Sequence, residues 1–206
     1  MKAVQLLAHG SPGQFRFGDV PEPVPAPDEV LVRVRACGVN HLDLWFEQGE
    51  LPLPVALPRI GGCEVAGEIL ALGSDVDQWR VGDRVAVQSN LFCGSCEFCL
   101  RGEDSICLNG RLLGVQCDGG YAEKVKVPAR CIVALPDAVS FETSAALTLA
   151  GSTAMHMLTD RAEVRECDWV LVIGASSGVG SAAIQIAKQL GGRVIATASS
   201  PTKREL

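Results

Sequence analysis

Four cysteines stand close together in the run C-G-S-C-E-F-C-L-R-G-E-D-S-I-C, at Cys93, Cys96, Cys99 and Cys107. Two successive gaps of two residues put three thiols into one tight loop, and the fourth follows after seven further residues. Four thiolates suit a closed tetrahedral Zn²⁺ site, which stabilises a fold and leaves no coordination position for a substrate. Two disulfides or four unrelated core thiols are the alternative. The spacing therefore predicts one structural zinc.

A second run with chemical potential is the turn of small residues between an apolar strand, WVLVI, and an amphipathic helix. It is a variant of the glycine-rich fingerprint, read as Ala175-x-Ser177-x-x-Gly180. Small side chains let the backbone approach a pyrophosphate, whose charge is held by the N–H groups of the helix N-terminus. A bare structural turn is the alternative. The predicted cofactor-binding residues here are Gly174, Ala175, Ser176, Ser177, Gly178, Val179 and Gly180.

The type of cofactor is indicated by the charges that follow this turn. Sites that prefer NAD place Asp or Glu on the ribose about 20 residues after the turn, but no acidic residue occurs between Trp169 and Arg204. Ser199 and Lys203 stand near the end of the second strand and can hydrogen-bond and neutralise a 2′-phosphate. The sequence therefore predicts NADPH, with NADH as the alternative. A solvated basic helix start is the other interpretation of these residues.

The composition limits the class of protein. A net charge of −6 without a basic run argues against nucleic-acid binding. The sequence has neither a signal-peptide pattern nor an apolar run of membrane-spanning length, so we expect a cytoplasmic protein without a membrane partner. Outside the cysteine run the thiols are dispersed and odd in number, which suits a reducing compartment. These thiols are Cys37, Cys63, Cys117, Cys131 and Cys167.

Hydrophobic periodicity places these motifs on predicted elements. The first part of the chain is β-rich, with strands expected over Val30–Ala36, Val65–Leu72, Asp83–Val87 and Tyr121–Val127. Helical spacing follows over Ser140–Leu149 and Thr153–Asp160. A βαβ unit then comprises the WVLVI strand from Trp169, a helix over Ser181–Leu190 and a strand over Arg193–Ala198. The motifs therefore lie in a β-rich part and a smaller α/β part.

With the cysteine run, the glycine turn and the stretches GVNHLDLW, GDRV, GGYAE and AALTLAGSTAMHML in this order, the chain resembles the medium-chain dehydrogenase/reductase superfamily. It is most similar to zinc-lobed alcohol dehydrogenases and quinone oxidoreductases. The resemblance implies a β-rich GroES-like catalytic domain over 1–135, with its zinc lobe at 93–107. Connecting helices and a partial α/β Rossmann domain of one βαβ unit would follow over 136–206. It also implies a small-molecule substrate, a nicotinamide in the cleft between the domains, and a homo-oligomeric full-length form.

The catalytic metal site is where the sequence departs from the alcohol dehydrogenases. Asn40, Cys63 and Leu149 stand at the positions that match the three zinc ligands of that branch, and asparagine is a poor ligand while leucine is none. Zinc-free reductases of the superfamily carry asparagine at the Asn40 position, where its amide helps to position substrate and nicotinamide. We transfer this catalytic role to Asn40, with simple turn structure as the alternative. Leu42 and Trp45 match the proton-relay positions and cannot relay a proton.

Other residues carry weaker expectations. Thr153 matches a position beside the nicotinamide, although a threonine near a helix start is an equally good interpretation. Asp43 is expected to fix backbone N–H groups, and Tyr121 is expected in the core. Cys63 is either a reactive thiol or a buried one. His41 is either near the cofactor phosphates or solvated, and His9 and His156 are expected to be structural.

The predicted function is hydride transfer from NADPH to an activated C=C bond or a quinone. A zinc-dependent alcohol dehydrogenase, which requires a second zinc, and a truncated non-catalytic zinc-binding fold are the alternatives. A doubly wound nucleotide domain uses six strands, so we expect the sequence to be part of a longer enzyme or a natural truncation. A lone βαβ unit leaves one apolar sheet face exposed. We therefore expect no turnover from the 206-residue chain alone.

Overall fold

The computed structural model describes residues 1–205, which divide into one compact unit up to Thr148 and a second from Leu149 onward. The first unit is mostly β-structure. Its strands are β1 (Lys2–Ala8), β2 (Gln14–Asp19), β3 (Glu29–Gly38), β4 (Arg59–Ile60), β5 (Glu64–Leu72), β6 (Arg84–Val87), β7 (Asn90–Leu91), β8 (Arg111–Leu112), β9 (Lys124–Pro128) and β10 (Ile132–Ala134). Its α-helices are α1 (His41–Gln48), α2 (Glu97–Leu100) and α3 (Phe141–Ala145), and short 3₁₀ turns lie at Asp104–Ile106 and Ala129–Cys131.

The main sheet of this unit has the order β10-β6-β5-β3-β9 with antiparallel pairing. It surrounds a core of branched aliphatic side chains, which suits strands because these residues pack well on a pleated surface. The best-buried members include Val30, Val32, Val65, Val85, Val87 and Val127. A second sheet has the order β2-β1-β4, and β7 pairs with β8. The β-rich architecture predicted from the alternation is therefore confirmed.

The register between β3 and β5 decides where the chemistry lies. Val30 opposes Leu72 at one end of the pair, and Gly38 opposes Glu64 at the other. Because α1 begins three residues after Gly38, its first turn lies beside the Cys63–Glu64 segment. A strand pairing thus brings together two parts of the chain that are distant in sequence.

One prediction about the first unit needs correction, and one hairpin has no counterpart among the predicted strands. The strand expected from Tyr121 begins only at Lys124, since the chain before it forms a loop whose N–H groups bond to the carbonyl oxygens of Ile60, Gly61 and Gly62. The hairpin of β1 and β2 was not predicted from the periodicity, because the side chains of β2 are almost all exposed and give no core face to detect.

The second unit is an α/β arrangement. Its elements are α4 (Ala150–His156), a π-helical turn at Met157–Arg161, β11 (Trp169–Ile173), α5 (Gly178–Gln189), β12 (Arg193–Thr197) and α6 (Pro201–Arg204). β11 and β12 pair in parallel, from Trp169 opposite Arg193 to Ile173 opposite Thr197. Parallel strands require a crossover, and α5 provides it. The strand, turn and strand of the predicted βαβ unit are therefore confirmed.

Only one face of this small sheet is covered. Small residues let α5 pack closely on α4 and β11, with Ala154, Leu158, Val172 and Ala187 in the shared core. The opposite face exposes large apolar side chains, as expected for an isolated βαβ unit. These are Trp169, Leu171, Ile173 and Ile195. Across residues 1–205, no helix is both long and apolar enough to span a bilayer.

Candidate functional site

The four cysteines of the predicted zinc lobe converge because the lobe starts and ends on a strand pair. Asn90 opposes Leu112 and Leu91 opposes Arg111, so the chain leaves β7 and returns to β8 at adjacent points. Within the lobe, Cys96 precedes the first turn of α2 and Cys99 lies on that helix. Cys107 follows the 3₁₀ turn, and Cys93 follows β7. All four Sγ atoms lie within 4.8 Å of one another.

The separations of these sulfur atoms match a tetrahedral metal. The Sγ atom of Cys96 lies 3.4 Å from that of Cys99 and 3.9 Å from that of Cys107, and the Sγ atoms of Cys93 and Cys99 are 3.9 Å apart. A Zn–S bond of about 2.3 Å places tetrahedral sulfurs about 3.8 Å apart, whereas a disulfide requires about 2.05 Å. The chemistry and spacing of this donor set therefore fit Zn²⁺.

Backbone donors surround these sulfurs. The N–H of Cys93 donates to the Sγ of Cys107 at 3.2 Å, and the N–H of Cys96 donates to the Sγ of Cys93 at 3.3 Å. Hydrogen bonds from Ser95 and Cys96 lower the pKa of Cys93 to about 5, while burial and the neighbouring thiols raise the pKa of Cys99 to about 12. The hydrogen-bond donors favour the thiolate form of a cysteine, but several thiolates so close together repel one another. A bound cation would remove this repulsion.

A second polar cluster, here called the corner, lies where β3 ends and α1 begins. The carboxylate of Glu64 packs over Gly38 so closely that a Cβ atom there would lie 2.1 Å from its Oε2. Asn40 precedes α1 in an extended conformation, and its backbone N–H donates to the Oδ2 of Asp43 at 2.7 Å. Asp43 therefore fixes a backbone N–H group, as predicted. Among residues 1–205, the Nδ2 atom of Asn40 is buried without a hydrogen-bond partner.

Tyr121 belongs to the corner and not simply to the core. Its hydroxyl donates to the Oδ2 of Asp43 at 2.6 Å and lies 3.3 Å from the carbonyl oxygen of Gly38. Burial, followed by the bond to Asp43, raises the pKa of Tyr121 well above its usual value. Tyr121 was expected in the core, and the structure leaves it half-buried with its hydroxyl in the corner. The sequence signal for the contact is the pair of double glycines, 61–62 and 119–120, which allow two loops to touch.

Two thiols lie near the corner, of which Cys63 is buried and Cys37 is half-buried. Cys63 is 1% exposed, and burial raises its pKa above the usual thiol value. Burial also raises the pKa of Cys37 to about 12. A protonated, buried thiol is a poor nucleophile. The interpretation of Cys63 as a buried thiol is therefore the better supported one.

The remaining predicted residues of this region are mainly structural in their contacts. The exposed ring of His41 meets Trp45 edge-on at 4.9 Å, and the Nδ1 of His9 lies 2.9 Å from the carbonyl oxygen of Phe46. In the second unit, Leu149 precedes α4 and presents a hydrocarbon side chain, and His156 pairs with Asp160 at 2.7 Å.

The glycine turn of the second unit is shaped by two contacts. Gly174 has a φ of 75°, which glycine adopts without strain. The Oγ of Ser177 accepts a hydrogen bond from the N–H of Gly180 at 3.0 Å and so caps α5. Because of this cap, α5 begins at Gly178 and not at Ser181 as expected. A Cβ atom on Gly180 would lie 2.3 Å from the carbonyl oxygen of Gly174, so the turn requires glycine there.

A cavity of about 470 Å³ opens beside this turn and contains many of the predicted cofactor-binding residues. Its lining residues are Ile173, Gly174, Ser176, Ser177, Thr197, Ser199 and Lys203. Ala175, Gly178, Val179 and Gly180 shape the turn without lining the cavity. Thr153 lies inside α4, where its N–H donates to the carbonyl oxygen of Leu149, and not at a helix start. The turn and the end of β12 are therefore the parts of the prediction that the structure brings together.

The chain matches known proteins along most of its length. A family model for the alcohol dehydrogenase GroES-like domain matches residues 26–137. The curated alcohol dehydrogenase of Schizosaccharomyces pombe is 37% identical over 205 residues, which is 99% of this chain and 58% of that protein. The chain thus spans less than two thirds of this relative.

Solved structures agree with this family match. The structure of an NAD-dependent alcohol dehydrogenase is 43% identical, with a TM-score of 0.92 over 98% of this chain and 59% of the other. A quinone oxidoreductase from Pseudomonas syringae is 34% identical, with a TM-score of 0.80 over 98% of this chain and 54% of the other. Similarity to both kinds of enzyme leaves the substrate class to be argued from the residues.

Proposed function

Because the chain belongs to the family of the alcohol dehydrogenase GroES-like domain, we propose that the protein is an oxidoreductase that reduces an activated C=C bond or a quinone. The family match confirms the resemblance to the medium-chain dehydrogenase/reductase superfamily. The proposed substrate is a small molecule and the proposed cofactor is NADPH. The chain covers 58% of the curated relative and 59% of the similar solved structure. The proposed activity is therefore that of the whole protein.

The observation that carries this proposal is the chemistry at Asn40, Cys63 and Leu149. These positions offer an amide, a buried thiol and a hydrocarbon, so that only one of the three could bind a catalytic zinc well. The unpartnered amide nitrogen of Asn40 supports a functional role, since leaving a buried donor unsatisfied costs about 1–3 kcal/mol. A buried donor without a protein partner is open to donate a hydrogen bond to a ligand acceptor.

Cys93, Cys96, Cys99 and Cys107 would hold one structural Zn²⁺. All four coordination positions would be filled by thiolates, so this ion stabilises the lobe and takes no part in the reaction. Its contribution is to order a segment with few buried side chains of its own. Neither α2 nor the adjacent 3₁₀ turn contains a buried residue.

The cavity beside the glycine turn would hold the cofactor phosphates. The free N–H groups at the start of α5 attract a pyrophosphate, and the small residues Gly174 and Ser176 let its oxygens approach. Ser199 and Lys203 line the same cavity and would hold the 2′-phosphate of NADPH. NADH is the alternative, and the NAD-dependent alcohol dehydrogenase among the similar structures supports it.

Bound NADPH would supply a hydride to the electrophilic carbon of the substrate. The role of this chain is to bind and orient. Asn40 would direct its amide at substrate and nicotinamide, while Asp43 and Tyr121 hold the backbone that carries it. Tyr121 is unsuited to donate a proton at neutral pH, because its hydroxyl already donates a hydrogen bond to the carboxylate of Asp43 and burial raises its pKa.

The tests are elemental analysis, nucleotide titration and an assay of catalytic turnover, all with the protein as expressed from its gene. We expect one zinc per chain, NADPH binding, and oxidation of NADPH with enones or quinones. Asn40→Asp, which replaces the amide donor with an oxygen of equal size, should lower kcat about tenfold or more with little change in NADPH affinity.

Each alternative function has its own outcome. Two zincs per chain and alcohol oxidation would replace the proposal by a zinc-dependent alcohol dehydrogenase, which the curated relative favours. One zinc without nucleotide binding would leave a non-catalytic zinc-binding fold. Full activity in Asn40→Asp would remove the assigned role of that residue.

A further inference from the structure

One carboxylate oxygen joins Tyr121 to Asn40. The Oδ2 atom of Asp43 accepts the hydroxyl of Tyr121 at 2.6 Å and the backbone N–H of Asn40 at 2.7 Å. Hydrogen bonds to an ionised acceptor are short and strong. The position of the phenol therefore restrains the carboxylate, and the carboxylate restrains the backbone at Asn40. This link connects residues that are 78 positions apart in sequence.

Tyr121 is itself held both by its backbone and by its ring. The backbone N–H of Tyr121 donates to the carbonyl oxygen of Gly61 at 3.0 Å, and its carbonyl oxygen accepts from Val4 at 2.8 Å. Its ring lies against Gly61 and Gly62, where added Cβ atoms would come within 3.2 Å and 2.8 Å of it. A residue so constrained is suited to fix a partner in place, because its own ring has little freedom to move.

The restraint acts where the direction of the Asn40 side chain is set. Asn40 has φ −123° and ψ 156°, so it is the extended residue at which the chain turns from β3 into α1. The N–H of Asn40 is held by Asp43, and the N–H of Asp43 donates to the carbonyl oxygen of Asn40 at 3.0 Å. With both backbone groups of Asn40 held, its side chain leaves from a fixed direction.

We infer that Tyr121 is a positioning residue for Asn40, acting through the carboxylate of Asp43. This inference rests on the proposed function of Asn40. Tyr121 touches neither substrate nor cofactor in this role. Its hydroxyl selects one position of Asp43, which in turn presents the Asn40 amide to the substrate. If Tyr121 restrains Asp43 without affecting Asn40, its role is purely structural. The experiments below separate this structural role from the positioning role.

The first experiment needs no turnover. Tyr121 is the single tyrosine of the chain, so ¹³C labelling at the tyrosine Cζ gives one resonance that reports the phenol directly. We expect the phenolate to form only at a pH well above the usual pKa of tyrosine, because burial and the bond to Asp43 both raise the pKa of Tyr121. In Asp43→Asn the phenolate should form at lower pH, because a neutral amide replaces the negative charge. An unchanged titration in Asp43→Asn would overturn the hydrogen bond on which the inference depends.

The second experiment follows Asn40 in Tyr121→Phe, which removes the hydroxyl and keeps the ring on Gly61 and Gly62. Hydrogen exchange at the backbone N–H of Asn40 should become about tenfold faster or more, and the side-chain amide resonance of Asn40 should shift. Ser140→Ala is the matched control, since it removes a hydroxyl that caps α3 away from the corner. It should leave both signals unchanged. No change at Asn40 in Tyr121→Phe would overturn the inference.

The third experiment is the kinetic one. In Tyr121→Phe, kcat should fall about tenfold with the KM for NADPH within about twofold, and the zinc content should stay the same. Ser140→Ala should keep the kcat of the parent. A fall in thermal stability with normal kcat per folded molecule would show that Tyr121 only supports the fold. If the parent protein lacks activity, the proposed function fails while the two spectroscopic experiments still decide whether Tyr121 positions Asn40.

Discussion

The cysteine lobe and the corner bring polar side chains together in opposite ways. The four ligands of the lobe come from a stretch of 15 residues and converge with almost no buried side chains around them. The corner collects residues 38–43 from one segment, Glu64 from a second and Tyr121 from a third, and strand register and glycine contacts hold it in place. The lobe therefore relies on a bound ion for order, whereas the corner relies on the packed sheet. This difference determines what breaks each site.

The largest expected effect is the loss of the lobe in Cys96→Ser. Structural zinc contributes about 10 kcal/mol or more to the folding of small zinc domains, so the variant should lose its metal and the lobe should become sensitive to protease. Elemental analysis and limited proteolysis measure both changes. Cys167→Ser is the matched control, because Cys167 is exposed and lies outside the lobe, and it should keep its zinc. Collapse of the corner together with the lobe would contradict the independence of the two regions.

The corner should be most sensitive at Gly62. This residue has a φ of 91°, and a Cβ atom there would lie 2.8 Å from both the Cys37 Sγ and the Tyr121 ring. Gly62→Ala should therefore lower the free energy of unfolding by about 3 kcal/mol through backbone strain and overpacking. Gly82 has a φ of 94° with open space around it, so Gly82→Ala isolates the strain and should cost about 1–2 kcal/mol. Equal losses in urea unfolding would show that the close contacts at Gly62 are unimportant.

Alkaline pH should weaken the corner. Burial raises the pKa of Cys37 from its usual 9 to about 12, and it raises that of Cys63 in the same direction. Both thiols favour the folded state fully below pH 9, and this contribution is lost as the pH rises toward 12. The loss should reach about 2 kcal/mol at a pH of about 10, measured as the free energy of unfolding in urea.

The pH dependence has a direct control in the Cys37→Ala variant. Removing one of the two thiols should flatten the decline of stability between pH 8 and about 10.5. Zinc content, followed over the same range, should stay constant because coordinated thiolates are already deprotonated. A variant whose stability falls as steeply as that of the parent would contradict the role of Cys37.

The smallest expected effect concerns the cofactor cavity beside the glycine turn. Like the lobe, it was predicted from residues that are close together in sequence. Lys203→Ala should weaken NADPH binding about tenfold, or about 1.4 kcal/mol, and leave NADH binding unchanged. Lys188→Ala removes an exposed lysine of α5 that does not line the cavity, and it should change neither affinity. Fluorescence titration measures the NADPH and NADH affinities of the parent and of both variants. Equal affinities of the parent for NADPH and NADH would contradict the predicted preference.

The sequence predicted the elements whose signal is local. Cysteine spacing indicated the lobe, and the strand, turn and strand around Gly174 were correct because an apolar run and small residues define them within 30 residues. The start of α5 was placed three residues too late, since the cap by Ser177 extends the helix toward the turn.

The corner was predicted only in part. Asn40 and Asp43 lie in one short motif, so the bond between them could be anticipated from spacing alone. The place of Tyr121 could not, because it depends on the β3–β5 register and on a loop that meets Gly61 and Gly62. Periodicity assigned Tyr121 to a strand that in fact begins at Lys124. The double glycines at 61–62 and 119–120 allow this contact, but they do not indicate which two loops meet.

The pairing of β7 with β8 also bears on how this architecture can evolve. Since Asn90 opposes Leu112, the residues between these strands enter and leave at neighbouring points. A hairpin turn of a few residues would close the same gap and preserve the register on both sides. The lobe is therefore an insertion that can lengthen, shorten or be lost in evolution without a change in the strand pairing of the sheet. Dependence on zinc for folding can thus be inherited separately from the chemistry at the end of β3.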